Sequence, residues 1–541
     1  MSNRSPLTHL ARTVASEMRS GRLHDDTQDA MRALDGQPVL LFDLVALMEK
    51  ETRKKRPNDG LISAYAYLLA HGLEQLRFGV ESEIPSSLTW AARLRAALLD
   101  DAASGDISAP ILLLVLNQFA GAKLEIGAAL REMMQELALK EIENQDESKQ
   151  DSPESGQEDN PLIAMARDLD GDVFAIHAML NESAETLPVD MRAGIAMATL
   201  GEKEPTLREA ALGFLLNGSQ LARSKLIEMI ELAAPHGLIS PVMLRRMITM
   251  RNLLPADDRK NLNKAIKACR KAKITCAPWP RTTVRQILAS AIDGAGALTI
   301  LAIVEDDKGK PAFAGVLMKQ GVGIRDSWVR RDVTEAELKE LINHIAGTIE
   351  IAPSTLDYAE IMLRHFLSVN AETGVMPPFA LLEFAEAIGL KELKPVAQSV
   401  EELIPALCKN IEPKRLTKAA ITRTLRNSAD WPDDYPTLET WFEDNVTKVV
   451  GTKRGQRKKQ IDVLLAGPLR SRQHRWAELI AWTALGLKHQ PGTPDWQSFA
   501  IVARELLGQR PLEDIGIMQV IADISLTVSD LDGLSGFSDA A

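Results

Sequence analysis

Residues 283–318 read TVRQILASAIDGAGALTILAIVEDDKGKPAFAGVLM, and this stretch interrupts the helical pattern of the rest of the chain. It contains three apolar runs of strand length, 283–292, 297–305 and 312–318, separated by turn-forming sequences. These runs predict a β-meander. Because both alternating sets of side chains are apolar in the second run, we expect helices to cover both faces of the sheet.

A helix is predicted directly after the meander. Thr334 and Glu337 form a capping-box pattern, and apolar residues then recur at helical spacing. Together these elements predict a small α+β module of three or four strands plus a helix over residues 281–347.

The flanking regions are predicted to be helical. On the N-terminal side the patterns predict helices at 38–48, 61–80 and 110–139. On the C-terminal side Ser354 and Asp357 give a capping signal for a helix to about Val369, and residues 379–388 predict a second helix that ends at Gly389. The fold class is therefore mainly α, a multi-domain bundle or solenoid-like architecture with one small α+β module.

The length of 541 residues predicts several domains. Residues 144–160 contain no apolar side chain and are rich in acidic and polar residues, so we expect a disordered linker there. The predicted segments are a helical domain at 1–143, the linker at 144–160, a helical domain at 161–280, the module at 281–347, a helical segment at 348–410, a Trp-rich helical domain at 411–528 and a disordered tail at 529–541.

One segment resembles a known repeat. Residues 205–215, PTLREAALGFL, are similar to the Pro-x-Val/Leu-Arg-x-Ala-Ala-x-x-x-Leu pattern of a HEAT repeat, and residues 222–230 would supply the next helix. The resemblance covers about one repeat, residues 205–230. It implies a stacking surface for protein partners.

Composition and charge exclude several classes of protein. The formal net charge of -11 argues against a surface that coats nucleic acid or anionic membrane as a whole. The most apolar run, 111–116, is too short to span a membrane, and the N-terminal residues lack the apolar core of a secretory signal. We therefore expect a cytoplasmic protein with no membrane partner.

Three cysteines, Cys269, Cys276 and Cys408, are too few for a disulfide framework. The first two are either a redox pair or two small buried residues, and the second interpretation is favoured. No nucleotide-binding fingerprint, metal-ligand spacing or nucleophile motif is present, so the sequence predicts no catalytic residue, no metal site and no cofactor.

Two basic segments stand out in this acidic chain. Residues 259–285 hold nine basic side chains and no acidic one, and residues 448–475 hold nine basic side chains and one acidic one. The residues proposed to contact an anion or nucleic acid are Lys260, Lys264, Lys267, Lys271, Lys453, Arg454, Arg457 and Lys458. One interpretation is a phosphate-contacting surface. The other, which we favour, is a pair of solvated faces that meet acidic surfaces of the same protein.

The segment 321–331, GVGIRDSWVRR, mixes polar and aromatic residues beside the predicted sheet. It is either an edge strand with protective charges or the wall of a cleft lined by Arg325, Asp326, Trp328 and Arg330.

Three functions remain open. The favoured one is a helical adaptor or scaffold that binds another protein, because stacked helices are present and no catalytic constellation is. The second is a nucleic-acid-associated protein that works through the two basic segments. The third is an enzyme with its site in the meander module.

Overall fold

The structure, a computed structural model, describes residues 4–20, 24–32, 37–81, 84–136, 160–443, 446, 457–492, 494–508 and 510–535. The chain divides into two compact units, Met1–Leu238 and Ile239–Ala541. Helices dominate the described residues and one small antiparallel sheet lies in the second unit, so the predicted fold class is confirmed. The predicted linker lies outside the described residues except for Asn160, and the seven-segment division stays a prediction.

The first unit consists of helices. They are α1 (Arg4–Ser20), α2 (Asp25–Arg32), α3 (Leu40–Thr52), α4 (Asp59–Glu81), α5 (Pro85–Ser104), α6 (Ala109–Gly121), α7 (Pro161–Asp168), α8 (Val173–Glu185), α9 (Val189–Gly201), α10 (Pro205–Ala211) and α11 (Gln220–Ala233), and residues 128–136 are also helical. Leu44, Leu69 and Leu112 are fully buried in one core that joins α3, α4 and α6.

Helices α8 to α11 form two successive helix pairs. Helix α8 packs on α10, and α9 packs on α11, so each helix of one pair meets its counterpart in the next. The predicted repeat helix corresponds to α10, which continues as a 3₁₀ helix over Leu212–Leu216. Small side chains allow this close approach, since Ala210 and Ala211 are fully buried.

The second unit surrounds the sheet with helices. Its elements are α12 (Pro241–Met250), α13 (Ala256–Lys271), β1 (Thr283–Ser290), β2 (Ala297–Glu305), β3 (Pro311–Lys319), β4 (Gly323–Arg330), α14 (Glu335–Ala346), β5 (Ile351–Ser354), α15 (Leu356–Thr373), α16 (Leu381–Ile388), α17 (Val400–Cys408), α18 (Lys418–Asn427), α19 (Trp431–Asp434), α20 (Arg457–Ala466), α21 (Pro468–Ser471), α22 (Gln473–Lys488), α23 (Trp496–Leu507) and α24 (Gly516–Ser535).

The sheet is a meander with one added strand. Its strand order is β4-β3-β2-β1-β5, and every neighbouring pair is antiparallel. The three predicted strands are present. The segment 321–331, for which the sequence allows either an edge strand or a cleft wall, contains the edge strand β4. The fifth strand, Ile351–Ser354, was not predicted.

Helices cover both faces of the sheet, as predicted. Leu301 and Ile303 of β2 pack with Leu338 of α14 in one apolar cluster. The opposite face holds Ile300 and Ala302, both fully buried, and helices α15 and α16 pack on that side of the module. The capping box of α14 is present, with the Thr334 hydroxyl accepting from the Glu337 amide and the Glu337 carboxylate accepting from the Thr334 amide.

Two helix predictions are wrong in detail. The predicted helix 110–139 is interrupted, because α6 ends at Gly121 and Gly127 has a φ of 87°, a left-handed conformation that glycine adopts without strain. The cap of α15 is Thr355, whose hydroxyl accepts from the Tyr358 amide, because Ser354 is the last residue of β5. Within the described ranges, no helix is long and apolar enough to cross a membrane.

Candidate binding surface

Helix α13 is anchored by an apolar face. Leu262, Ala265 and Cys269 are fully buried, while the helix begins after Pro255 and carries Asp257 in its first turn. An acidic residue in the first turn and basic residues in the last turn both stabilise the helix dipole. Burial of Leu262, Ala265 and Cys269 leaves the opposite side of α13 facing solvent.

The four predicted lysines lie together on the solvent side of α13. Lys260, Lys264, Lys267 and Lys271 are all exposed, and the Lys264 amine donates a hydrogen bond to Asn261 Oδ1 at 3.1 Å. In the part of the chain that the structure describes, none of these four amines lies within 4.0 Å of a carboxylate. We call this set the lysine face.

A buried charge network holds the helix that precedes the lysine face. Glu386 of α16 accepts hydrogen bonds from Arg245 at 2.7 Å and from Arg246 at 3.1 Å, both on α12. Burial by itself would raise the pKa of Glu386, but hydrogen bonds and charge from the two guanidinium groups outweigh it and lower that pKa. Removal of one partner would leave a buried charge unpaired, so the network keeps α12 on α16.

The second basic segment is arranged differently. Arg457 forms an ion pair with Asp523 at 2.6 Å, and Lys458 is exposed. Lys453 and Arg454 lie outside the described residues. In the second basic segment, at least one predicted contact residue is therefore ion-paired with an acidic side chain of the same unit. In the described residues, the lysines of the lysine face form no such pair.

The four predicted cleft residues lie on the edge strand β4. Asp326, Trp328 and Arg330 pair with Leu317, Gly315 and Phe313 of β3 and, because side chains alternate along a strand, lie on one face, whereas the register shifts beside Arg325. Trp328 packs edge-on against Phe313 with ring centroids 5.2 Å apart. The strand therefore brings three of the four residues to one face, the face on which Phe313 packs with Leu338 of α14.

A groove opens beside the start of α13. The cavity measures about 390 Å³ and is mostly apolar, with Leu253, Leu254, Val375 and Met376 among its lining residues. Its only charged lining residues are Arg259 and Lys394; the rest are Asn252, Pro255, Leu367, Asn370, Ala371, Gly374, Pro377 and Pro395. We call this cavity the α13 groove, and its rim is positive with no lining carboxylate.

The sequence marks Arg259 only as one of the basic residues in the segment 259–285, and it gives no sign of the groove. Its walls come from the segments 252–259, 367–377 and 394–395, which meet only in the folded unit. No local motif marks such a site. The lysine face, by contrast, was visible as four lysines at helical spacing.

The cysteines do not form a pair. Cys269 is buried on α13, where burial raises the pKa of its thiol, and Cys408 is half-buried with its pKa raised for the same reason. Cys276 is exposed, so the prediction that it is a small buried residue is wrong. It lies in the extended segment between α13 and β1, which leaves its side chain in solvent. In the ranges that the structure describes, no three His, Cys, Asp or Glu side chains are grouped as a metal site.

The chain is similar to y4lR of Sinorhizobium fredii. That relative, described as an uncharacterized protein, is 25% identical over 371 residues, which are 67% of this chain and 70% of the relative. A family model described as the Y4lR second domain matches residues 188–273, and one described as the Y4lR C-terminal helical domain matches residues 401–530. No solved structure matches the chain. The first of the two matched segments includes the whole of α13.

Proposed function

We propose that this protein is a helical binding protein that recognises an acidic surface on a partner protein through the lysine face and the α13 groove. The observation that carries the proposal is the lysine face itself, where four exposed amines lack a carboxylate within 4.0 Å in the described residues. Basic residues elsewhere in the unit, such as Arg457 and Arg472, meet carboxylates at 2.6 and 2.8 Å.

The groove favours a protein partner over a polyanion alone. Interfaces draw most of their binding energy from a few apolar or aromatic anchors in well-packed pockets, while charges at the rim steer association. The α13 groove offers an apolar pocket at the start of the helix that carries the lysine face, and Arg259 belongs to both the groove and α13. A partner segment with one apolar anchor and flanking acidic residues fits this combination.

Nucleic acid is the second candidate, and the row of four lysines supports it. Phosphates attract such a row whatever their sequence. Against it, α13 carries no aromatic side chain on which a base could stack, and the chain as a whole has a net charge of -11.

A charge-reversal experiment tests the proposal. In one variant Lys260, Lys264, Lys267 and Lys271 are all changed to Glu, and the full chain is titrated against two immobilised probes. One probe is a synthetic peptide of alternating Glu and Leu, and the other is a single-stranded oligonucleotide. We expect the peptide to bind the wild type with an affinity that falls as salt rises, and charge reversal to abolish that binding.

The matched control reverses four exposed lysines of the second unit that lie in neither basic segment, Lys339, Lys391, Lys409 and Lys418. Both variants change the net charge equally. If only the lysine-face variant loses peptide binding, the binding is therefore assigned to α13. Equal loss in both variants, or no peptide binding by the wild type, would refute the proposal. Oligonucleotide binding at physiological salt that only the lysine-face variant loses would favour the second candidate instead.

A further inference from the structure

A second cavity, of about 600 Å³, lies in the second unit, away from α13 in sequence. It is lined by Lys414, Arg415, Ala420, Arg423, Thr424, Asn427, Asp430, Trp431, Asp434, Asp495 and Ser498. These residues come from α18, α19, the beginning of α23 and the short 3₁₀ segments beside α18. All of them fall within the segment 401–530 that the C-terminal helical domain model matches. We call this cavity the α18 cleft.

Helix α18 presents one polar face to the cleft. Arg423, Thr424 and Asn427 lie three, four and seven residues after Ala420, the spacing of one helical face. The helix starts at a fixed point, because the Thr417 hydroxyl accepts from the Ala420 amide. The small Ala420 leaves space between the longer polar side chains.

A second wall of the cleft is acidic and rigid. Asp430 and Asp434 flank Trp431, whose ring stacks on Phe499 with centroids 3.7 Å apart and planes at 9°. Since Trp431 is buried by this stack, the short helix α19 is held in place. The two carboxylates therefore extend from a fixed support.

Two of the three cations in the cleft already have acidic partners. Arg415 forms an ion pair with Asp495, and Lys414 lies 2.8 Å from Glu412. Among the described residues, Arg423 makes no ion pair or hydrogen bond, and the same holds for the carboxylates of Asp430 and Asp434. Within the described residues, one guanidinium on one wall of the cleft and two carboxylates on another are thus left without a charged partner.

We propose that the α18 cleft binds a small zwitterion of the amino-acid type, with its carboxylate on Arg423 and its ammonium group on Asp430 and Asp434. A guanidinium is suited to bidentate recognition of a carboxylate, and hydrogen bonds between charged groups are the strong ones in proteins. Thr424 and Asn427 supply further donors and acceptors beside Arg423. The volume lies in the range of small-molecule sites, about 300–1,000 Å³.

The two-point charge pattern also predicts selectivity. A ligand with a carboxylate alone would leave the carboxylates of the cleft uncompensated, and a ligand with an ammonium group alone would leave Arg423 uncompensated. Discrimination of this kind arises when the wrong ligand leaves a charged group unpaired. Acetate and methylammonium are therefore the matched single-charge probes. This inference is independent of the lysine face and of the α13 groove.

The experiment is a calorimetric titration of the full chain with the standard L-amino acids, acetate and methylammonium. We expect at least one amino acid to bind and neither single-charge probe to compete with it. Arg423→Gln and Asp434→Asn should each weaken that binding by about 10-fold or more, the loss expected for a hydrogen bond to a charged group. Thermal unfolding of each variant verifies that it is folded.

Two neighbouring residues provide the controls. Arg426 lies on α18 and Asp433 on α19, both exposed and neither lining the cleft, so Arg426→Gln and Asp433→Asn should leave the affinity unchanged. The proposal fails if no amino acid binds, if acetate or methylammonium binds as tightly as the amino acid, or if the control variants weaken binding as much as the cleft variants.

Discussion

Gly315 and Trp328 occupy facing positions on β3 and β4. A Cβ at position 315 would lie 2.6 Å from two carbon atoms of the indole, which is closer than real side chains approach one another. The ring of Trp328 therefore occupies the space that a side chain at 315 would fill. This contact orients an aromatic residue that would otherwise project from an edge strand into solvent.

Gly315→Ala is expected to lower the free energy of unfolding by about 1–3 kcal/mol, the usual cost of an overpacked site. Trp328→Ala in the same chain should restore part of the loss, because it removes the clashing ring. Denaturant unfolding of the single and double variants measures both effects. Gly194→Ala is the control, since no atom lies within 4 Å of its added Cβ in α9, and there we expect a gain of about 0.5–1 kcal/mol. Unchanged stability of Gly315→Ala would show that the ring does not rest on the glycine.

His365 predicts a pH dependence for the second unit. Its ring lies 4.5 Å from that of Trp482, and its Nδ1 accepts from the Gln398 amide at 3.4 Å. Burial lowers the pKa of His365 to about 4, whereas an unfolded histidine titrates near 6.5. The unfolded chain therefore binds more protons between these values, so stability is full above pH 6.5 and falls as the pH drops toward 4.

The expected loss from this group is about 2 kcal/mol between pH 6.5 and pH 5, at about 1.4 kcal/mol per pKa unit. His365→Phe should remove that dependence, as measured by urea unfolding followed through tryptophan fluorescence at both pH values. The exposed His344, also in the second unit, serves as the control, and His344→Phe should leave the dependence in place. Burial also lowers the pKa of His177, in the first unit, to about 4. The unfolding of the first unit is therefore followed separately from that of the second. A pH profile that His365→Phe does not alter would contradict the assignment.

At the scale of elements, the sequence predicts the parts of the fold that have local patterns. Strands β1 to β3 were predictable because apolar runs alternate with turn sequences, and α14 because its capping box is local. Strand β5 was not, since it has four residues, includes Pro353, and exists only by pairing with β1. The two cavities were not predictable for the same reason, because their walls come from distant segments. The lysine face was predictable, because its four residues lie on one helix.

The covered face of β2 gives the prediction at this scale. Ile303 is 5% exposed and packs in the cluster that α14 closes, so Ile303→Asp should destabilise the fold by several kcal/mol as a charge is forced into an apolar site. Thermal unfolding measures the effect. Lys308→Asp, in the exposed turn between β2 and β3, is the control and should change the melting temperature little. A variant with Asp at 303 and normal stability would mean that water reaches this face of the sheet.

At the scale of the whole molecule, the charge is distributed unevenly. The chain has a net charge of -11, yet the lysine face collects four positive charges on one helix with no carboxylate within 4.0 Å in the described residues. Long-range repulsion from the rest of the protein opposes a polyanion as it approaches, while a local acidic patch on a partner needs to reach only α13. Rising salt weakens both effects, so affinity for each probe is best compared over a range of ionic strength.

The exposure of Cys276 has a practical consequence. All three cysteines are described, and only Cys276 is exposed, while burial raises the pKa of both Cys269 and Cys408. Because the thiolate is the reactive form, a maleimide fluorophore should attach at Cys276 first, a few residues beyond the last lysine of α13. The native chain thus supplies its own attachment point for a fluorophore. Binding of a partner to α13 can then be measured from the fluorescence of the label on Cys276, without any engineered cysteine.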